Sequence, residues 1–194
     1  MSYALETRNL VRRFGGLVAT NDVSLKIAPG SRHALIGPNG AGKTTLINLM
    51  TGVLTPTSGA ILLEGADITT LSPHRRVGRG LARTFQINQL FSDLTPLETI
   101  GLAVSERQGA GGEWWRLTGS KQAVLDEAEE LLGTFKLADV MIERTSTLPY
   151  GKRRLLEIAT AFACRPRVLL LDEPAAGVPE GERHDILDLS LIHI

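Results

Sequence analysis

The clearest chemistry in this sequence is carried by eight consecutive residues, GPNGAGKT, at positions 37–44. They fill every fixed position of G-x-x-x-x-G-K-[ST], the phosphate-binding loop. Glycines let the backbone turn tightly and present successive N–H groups to phosphate oxygens. The ammonium of Lys43 can reach the outer phosphates, and the hydroxyl of Thr44 can ligate Mg²⁺. The segment therefore predicts a site for a nucleoside triphosphate and Mg²⁺.

The flanks of this loop predict a strand before it and a helix after it. Arg32–Ile36 is a short, mostly apolar run typical of a buried strand. Leu46, Leu49 and Met50 share one face of the following helix. A helix that begins at about Lys43 would point its positive end at the same anion. The alternative, a glycine-rich turn with a solvated lysine, lacks this strand–loop–helix context.

Two carboxylates with suitable chemistry follow a second apolar run. Val168–Leu171 leads directly into Asp172 and Glu173. This pattern is typical of a buried parallel strand with acids at its carboxyl end, where open α/β sheets bind ligands. One acid can hold Mg²⁺, and the next can orient or deprotonate a water that attacks the γ-phosphate. The alternative is a pair of acids on the surface.

Composition limits the class of protein. The 194 residues contain 21 Lys plus Arg and 21 Asp plus Glu, so net charge gives no case for nucleic acid or an acidic membrane surface. No apolar run is long enough to span a membrane, and the first residues lack the form of a signal peptide. A single cysteine, Cys164, permits no internal disulfide and fits a reducing compartment. We expect a cytoplasmic protein.

The elements that must position these residues begin with strands and continue with helices. The predicted strands are Leu5–Phe14, Val23–Ile27, Ala60–Leu63 and Leu81–Phe85, the last ending in Gln86. Ser72 and Pro73 predict a helix start, and four arginines near it read as a solvated basic face. These arginines are Arg75, Arg76, Arg79 and Arg83.

Residues from about Ile87 to Arg165 are predicted to be mostly helical. Thr95 and Glu98 form a capping box around a proline, which marks a helix start. Lys121–Phe135 carries one apolar stripe, and its acids are predicted to lie on a solvated face. Leu148–Arg154 is a Pro-Tyr-Gly turn that opens another helix.

Phe14 has two interpretations. An aromatic side chain at this distance before a phosphate loop can stack on a nucleotide base. Taken alone, it is more often part of a core.

The order of these elements resembles the ATPase domain of ABC transporters. Five segments resemble, more narrowly, the ATPase subunits of branched-chain amino-acid importers. They are RFGGL (13–17), Ser31–Thr45, RTFQ (83–86), LPYG (148–151) and DEPAAG (172–177).

The resemblance implies an α/β fold, a P-loop NTPase (RecA-like) core with an N-terminal antiparallel β subdomain and an inserted helical subdomain. Residues 1–86 would form the β subdomain and P-loop core, 87–165 the helical subdomain, and 166–194 a second, incomplete part of the core.

The resemblance also implies a role for each site residue. Phe14 would stack on adenine, and Glu173 would be the general base, with Gln86 and Lys43 also catalytic. Thr44, Gln86 and Asp172 would hold Mg²⁺. Gly151, in the signature turn, would complete the ATP site of a second copy. The remaining nucleotide-binding positions are Gly37, Pro38, Asn39, Gly40, Ala41, Gly42, Lys43, Thr44 and Thr45.

The partners implied are transmembrane permease subunits, a second ATPase subunit and, indirectly, a periplasmic or extracellular binding protein, with no nucleic acid. The cofactors would be ATP and Mg²⁺, at the inner face of the cell membrane. Two alternatives stay open: a soluble, non-transport ABC ATPase, and a fragment that binds nucleotide without turnover.

Three departures from the family pattern are visible. Pro149, Tyr150, Gly151 and Lys152 stand where the signature has Ser-Gly-Gly-Gln, which leaves backbone N–H groups and Lys152 as candidates for the γ-phosphate. The usual aspartate is absent from positions 176–179. His184 and His193 come too early to be the switch histidine, so we expect a truncated family member in which residues 190–194 are not native.

Overall fold

A computed structural model describes residues 2–84, 91–109 and 118–171, with side chains from residue 122 onward in the last range. These residues fall into two compact units. The first, here called the P-loop unit, contains the residues up to 82 together with Arg167–Leu170. The second, the helical unit, contains Arg83–Pro166.

A four-stranded antiparallel sheet dominates the P-loop unit, with strand order β2-β1-β3-β4. Its strands are β1 (Leu5–Phe14), β2 (Leu17–Ile27), β3 (Ser58–Leu63) and β4 (Ala66–Asp67). The strands predicted at Leu5–Phe14, Val23–Ile27 and Ala60–Leu63 are confirmed, but β2 starts at Leu17 rather than Val23 and β3 at Ser58 rather than Ala60. Gly15 takes a φ of 57°, so the two glycines make a tight turn and Phe14 pairs with Leu17.

The sheet packs on the helix that follows the phosphate loop. This helix, α1 (Lys43–Thr51), buries Leu46, Leu49 and Met50 as its spacing predicts. They join an apolar core with Leu10 and Ile61 of the sheet. The remaining elements of the unit are α2 (Pro73–Gly78), β5 (Leu81–Arg83) and β6 (Val168–Leu170), of which β5 and β6 form a two-stranded sheet.

The predicted strand at Arg32–Ile36 is wrong for this structure. Residues 31–38 have no regular secondary structure, and Ile36 is 89% exposed. A strand needs a hydrogen-bonding neighbour, and neither sheet among the described residues includes this segment. The apolar composition of this segment favours a strand, but among the described residues no neighbouring strand pairs with it.

The basic cluster is also corrected at one position. Arg75 and Arg79 are exposed, whereas Arg76 is only 1% exposed. Its guanidinium donates to the carbonyl oxygens of Leu71 (3.0 Å) and Thr69 (2.8 Å). It also donates to those of Leu49 (2.8 Å) and Met50 (2.7 Å) at the end of α1. Arg76 is buried because four carbonyls, two of them at a negative helix end, replace its water.

Three helices make up most of the helical unit: α3 (Pro96–Arg107), α4 (Thr118–Thr134) and α5 (Tyr150–Ala163). Short 3-10 turns at Ala138–Val140 and Thr145–Thr147 connect the last two. The predicted capping box is present at α3, where Thr95 Oγ1 accepts from the Glu98 N–H and Glu98 accepts from the Thr95 N–H. The core contains fully buried Ile100, Leu132 and Phe135, as the apolar stripe predicts.

One acid of α4 departs from the predicted solvated face. Glu127 is half-buried, and its carboxylate accepts a bidentate pair of hydrogen bonds from the Arg107 guanidinium (2.9 and 2.6 Å). Arg165 Nη2 lies 2.9 Å from Glu127 Oε1. The Arg107 hydrogen bonds hold the pKa of Glu127 below its ordinary value, against the effect of burial. Asp126, Glu129 and Glu130 are exposed as predicted.

Candidate phosphate-binding site

The candidate site is built around the N-terminus of α1. Gly42 is the N-cap, no side chain caps the helix, and the first turn contains no acidic residue. The first backbone N–H groups of a helix have no intrahelical partner, and the helix dipole adds positive potential there. The start of α1 is therefore an anion-binding end that the protein leaves unneutralised.

The loop before α1 has the backbone conformation that its glycines predict. Gly40 and Gly42 have φ values of 82° and 84°, in the left-handed region that favours glycine. At Gly42 space matters as well, because a Cβ there would lie 2.4 Å from the carbonyl oxygen of Ala19. The loop can thus lie against β2 only with glycine at position 42.

The Lys43 side chain folds back onto the loop that precedes it and contacts two of its carbonyl groups. Its ammonium donates to the carbonyl oxygens of Gly37 (2.7 Å) and Pro38 (2.8 Å), six and five residues earlier. The Lys43 charge is therefore held at the mouth of the loop by neutral acceptors rather than by a carboxylate. An incoming phosphate would meet a cation that no ion pair among the described contacts has neutralised.

Thr44 and Thr45 follow in the first turn of α1, with Thr44 exposed and Thr45 half-buried. A threonine hydroxyl is a hard oxygen donor of the kind that Mg²⁺ prefers. Among the described residues there is no group of three or more His, Cys, Asp or Glu side chains that could hold a metal. Among the predicted Mg²⁺ ligands, Thr44 is the one that the structure describes, and its exposed hydroxyl fits that role.

A cavity of about 250 Å³ lies beside the loop, between β2 and the start of α1. Its lining is mostly apolar and includes Val23, Leu35 and Leu46, with Lys43 at one side. Thr20 also lines it, is 5% exposed, and its hydroxyl has no hydrogen-bond partner among the described atoms.

Phe14 lies at the end of β1 and is 43% exposed, so the alternative of a core residue is wrong. It pairs with Leu17, two residues before the Ala19 carbonyl that Gly42 approaches. At about 3.3 Å per residue, that separation is roughly 7 Å along β2. The β1–β2 turn therefore brings an exposed aromatic ring to the neighbourhood of the phosphate loop.

Gly151 lies buried in the first turn of α5, in the helical unit. Its neighbour Lys152 donates to the Lys136 carbonyl (2.5 Å) and to Asp139 (2.8 Å). The Lys152 bond holds the pKa of Asp139 below its ordinary value. Lys152 is thus already engaged within its own unit, which weakens its candidacy for the γ-phosphate.

Farther along α5, Arg154 and Glu157 form a buried pair at 2.5 Å. Burial raises the pKa of Glu157 above its ordinary value, although the Arg154 charge opposes the rise. The predicted site residues Gln86, Asp172 and Glu173 lie outside the described residues.

Two further residues contribute to this site and were not predicted from the sequence. Ala19 supplies the backbone against which Gly42 packs, and no side-chain pattern announces such a contact. Arg12 places its guanidinium over the Phe14 ring at 4.5 Å. The position of Arg12 beside Phe14 was predictable from the sequence, because residues two apart on a strand share a face.

Comparison with known proteins agrees with this geometry. Residues 20–176 match the family described as ABC transporter. The chain is 39% identical over 191 residues to the high-affinity branched-chain amino acid transport ATP-binding protein BraF of Pseudomonas aeruginosa, covering 94% of this chain and 73% of that protein. It is 37% identical over 190 residues to the LivG protein of Escherichia coli, which has the same description, covering 95% and 74%.

Solved structures give the same result. A nucleotide-free ATP-binding cassette from an ABC transporter superposes with a TM-score of 0.82 at 32% identity, covering 98% of this chain and 76% of the other. The cbiO1 protein of Clostridium perfringens, part of the transporter complex cbiONQ, gives 0.81 at 26% identity, covering 98% and 73%. The predicted P-loop NTPase fold is therefore confirmed.

Proposed function

This chain belongs to the ABC transporter family, and we propose that it is the ATP-binding, ATP-hydrolysing subunit of an importer for branched-chain or other hydrophobic amino acids. The substrate follows from the descriptions of the relatives BraF and LivG. ATPase subunits of this family bind nucleotide and couple its hydrolysis to transport.

The observation that carries the proposal is the uncapped start of α1 with Lys43 beside it. Backbone N–H groups of the loop and of Lys43, Thr44 and Thr45 would bind the phosphates of ATP. Lys43 would exchange the Gly37 and Pro38 carbonyls for phosphate oxygens, which are stronger acceptors because they are charged. Bound Mg²⁺ would neutralise charge that develops on the phosphates, with Thr44 as its protein ligand in this unit.

The remaining catalytic roles are proposed from the family resemblance. Asp172 and Gln86 would complete the Mg²⁺ site, and Glu173 would take a proton from the water that attacks the γ-phosphate. Phe14 would stack on adenine. Gly151 would face the ATP of a second ATPase subunit.

The proposed place of action is the inner face of the cell membrane, bound to transmembrane permease subunits. Helices in the described parts of this chain are too short or too polar to cross a membrane. Attachment would therefore depend on the permease, with an external binding protein delivering the amino acid. Closure on ATP would drive the permease between its inward and outward states.

Nucleotide binding and phosphate release, measured on the same purified chain with Mg²⁺, test the ATP part. Lys43→Ala is expected to weaken MgATP binding at least tenfold, because it removes the cation at the outer phosphates. Lys26→Ala is the matched control, since Lys26 lies on β2 over the Tyr3 ring and outside the loop. A chain that binds no MgATP, or an unaffected Lys43→Ala variant, would overturn the assignment.

Glu173→Gln tests the base separately. It is expected to keep MgATP binding and lose phosphate release, and normal turnover in this variant would remove Glu173 from that role.

The importer part is tested by reconstitution with permease subunits and binding protein. ATP turnover should rise with leucine, isoleucine or valine and not with lysine, and equal stimulation by all four would contradict the proposed substrate class.

A further inference from the structure

The exposed ring of Phe14 has a cation against one of its faces. The Arg12 guanidinium carbon lies 4.5 Å from the ring centroid. Both residues belong to β1, two positions apart, which places their side chains on the same side of the strand. This geometry is a cation–π contact, in which the negative face of the ring attracts the charge.

Arg12 is fixed in this position by the neighbouring turn at residues 55–57. Its Nη1 donates to the Thr55 carbonyl at 2.7 Å. The same turn is bound to β1 by two more hydrogen bonds, from the Arg13 N–H to Thr57 Oγ1 (3.1 Å) and from the Thr57 N–H to the Val11 carbonyl (2.8 Å). The guanidinium is therefore held between a carbonyl and the ring before any ligand arrives.

This arrangement restricts what Phe14 can do. A half-exposed phenylalanine at the end of a hairpin would otherwise sample several orientations. With Arg12 on one face, the ring is held and only the opposite face can accept another planar group. The cation also draws electron density from the ring, which favours stacking with an electron-rich partner such as a purine.

The Phe14 ring lies near the phosphate loop, so its restricted orientation bears on nucleotide binding. The β1–β2 turn that carries Phe14 lies about two residues along β2 from the point where Gly42 contacts Ala19. A nucleotide whose phosphates occupy the loop extends its base away from α1. The hairpin formed by β1 and β2 places the exposed ring of Phe14 beside that loop.

We infer that Arg12 is a positioning residue that holds the Phe14 ring for stacking on the base of the bound nucleotide. This inference rests on the proposed function. It states that Arg12 contributes to affinity through the base and has no effect through the phosphates, although it is a cation near a polyanion site.

The test compares MgATP with inorganic tripolyphosphate, which has the phosphates and no base. Arg12→Met keeps the aliphatic stem and removes the charge. It is expected to weaken MgATP binding about two- to fivefold, the effect of a partly exposed cation–π contact, with no change for tripolyphosphate. Phe14→Ala should weaken MgATP more strongly and also leave tripolyphosphate unchanged. Adding Arg12→Met to Phe14→Ala should then have no further effect.

Two variants complete the design. Arg8→Met is the matched control, because Arg8 is an exposed arginine on the same strand whose partner is Glu6. It should change neither affinity. Arg12→Lys keeps a cation and should recover part of the MgATP affinity, which a purely structural role for the guanidinium fork would not allow. Urea midpoints of all variants check that folding is retained.

Each outcome decides the inference. Equal loss of MgATP and tripolyphosphate affinity in Arg12→Met, or no loss of either while Phe14→Ala loses MgATP, would overturn it. If Phe14→Ala binds MgATP normally, base stacking on Phe14 is wrong and the inference falls with it, while the phosphate loop stands. Failure of the unmodified chain to bind either probe would instead overturn the proposed function.

Discussion

The two units surround their buried and half-buried arginines with different acceptors. In the P-loop unit, Arg76 is surrounded by four backbone carbonyl oxygens. In the helical unit, Arg107 and Arg154 meet the carboxylates Glu127 and Glu157. Carbonyl groups do not titrate and carboxylates do. Acid is therefore expected to act directly on the contact pairs of the helical unit, whereas Arg76 keeps its carbonyl acceptors and only its longer-range attraction to the Asp67 carboxylate can change with pH.

The units also differ in how they cover apolar surface. The helical unit encloses a cluster that includes fully buried Phe135 and Leu132. The P-loop unit leaves Ile36 89% exposed and Leu35 45% exposed directly before the phosphate loop. Both units bury a core and both expose some apolar side chains, such as Ile142 in the helical unit; the P-loop unit differs because its exposed apolar residues adjoin the proposed ligand site. The predictions below test this contrast, beginning with the largest expected effect.

Removing the central ring of the helical unit should destabilise it most. Phe135 is fully buried, with its centroid 5.3 Å from that of Phe162. Phe135→Ala is expected to lower the free energy of unfolding by about 4 kcal/mol, because lost contacts and a cavity add. Urea unfolding measures the effect. Ile142→Ala, at a position 74% exposed, should change it by less than about 0.5 kcal/mol. Similar values for the two variants would contradict the placement of Phe135 at the centre of the core of this unit.

Removing the buried arginine should destabilise the P-loop unit. Arg76→Met fills similar volume but removes the guanidinium donor from four carbonyls, of which that of Leu49 keeps the Gly52 N–H, at an expected cost of about 3 kcal/mol. Hydrogen exchange should rise first at amides of α1. The control is Arg75→Met at the exposed neighbouring position. A loss confined to amides of α4 and α5 would contradict the assignment of this interaction.

Acid should weaken the helical unit through Glu127. Its folded pKa lies below the ordinary value of 4.5 because Arg107 binds the ionised form. The stabilisation is therefore present above pH 4.5, at about 1 kcal/mol, and is lost as pH falls through the lower folded pKa. Glu127→Gln should remove this dependence, as seen in urea midpoints between pH 7 and pH 3.

The contribution of Glu157 to stability should change with pH in the opposite direction to that of Glu127, which provides a second test. Burial raises its folded pKa above 4.5, so the folded state holds a proton more firmly than the unfolded chain. Its contribution to stability is largest below pH 4.5 and falls as pH rises through the folded pKa. Glu157→Gln should flatten that slope. Identical pH slopes for the two variants would show that burial and pairing do not separate these acids.

The smallest predicted effect concerns helix starts in the two units. Thr95 caps α3 with a side-chain hydrogen bond from a backbone N–H, whereas the Ser72 hydroxyl at the start of α2 makes no capping bond and contacts the His74 ring at 3.1 Å. Thr95→Ala should cost about 1 kcal/mol and Ser72→Ala a few tenths. Thermal unfolding of both variants checks the difference, and a larger effect at Ser72 would contradict it.

The sequence by itself determined the features that depend on a few consecutive residues. The loop at 37–44, the capping box at Thr95 and Glu98, and the positions of the first strands were predictable because glycine conformation, helix caps and alternation are local properties. The family resemblance then correctly gave the fold and the class of function. The roles of Gln86, Asp172 and Glu173 stay predictions.

Only the tertiary structure decided which polar and apolar residues are buried. Arg75, Arg76 and Arg79 are equivalent in sequence, yet Arg76 alone of the three is buried. The carbonyls of Leu49 and Met50, 27 and 26 residues earlier, accept hydrogen bonds from it. Arg32–Ile36 has the composition of a strand and lacks a pairing neighbour among the described residues. Burial and pairing depend on groups distant along the chain, and local patterns contain no information about them.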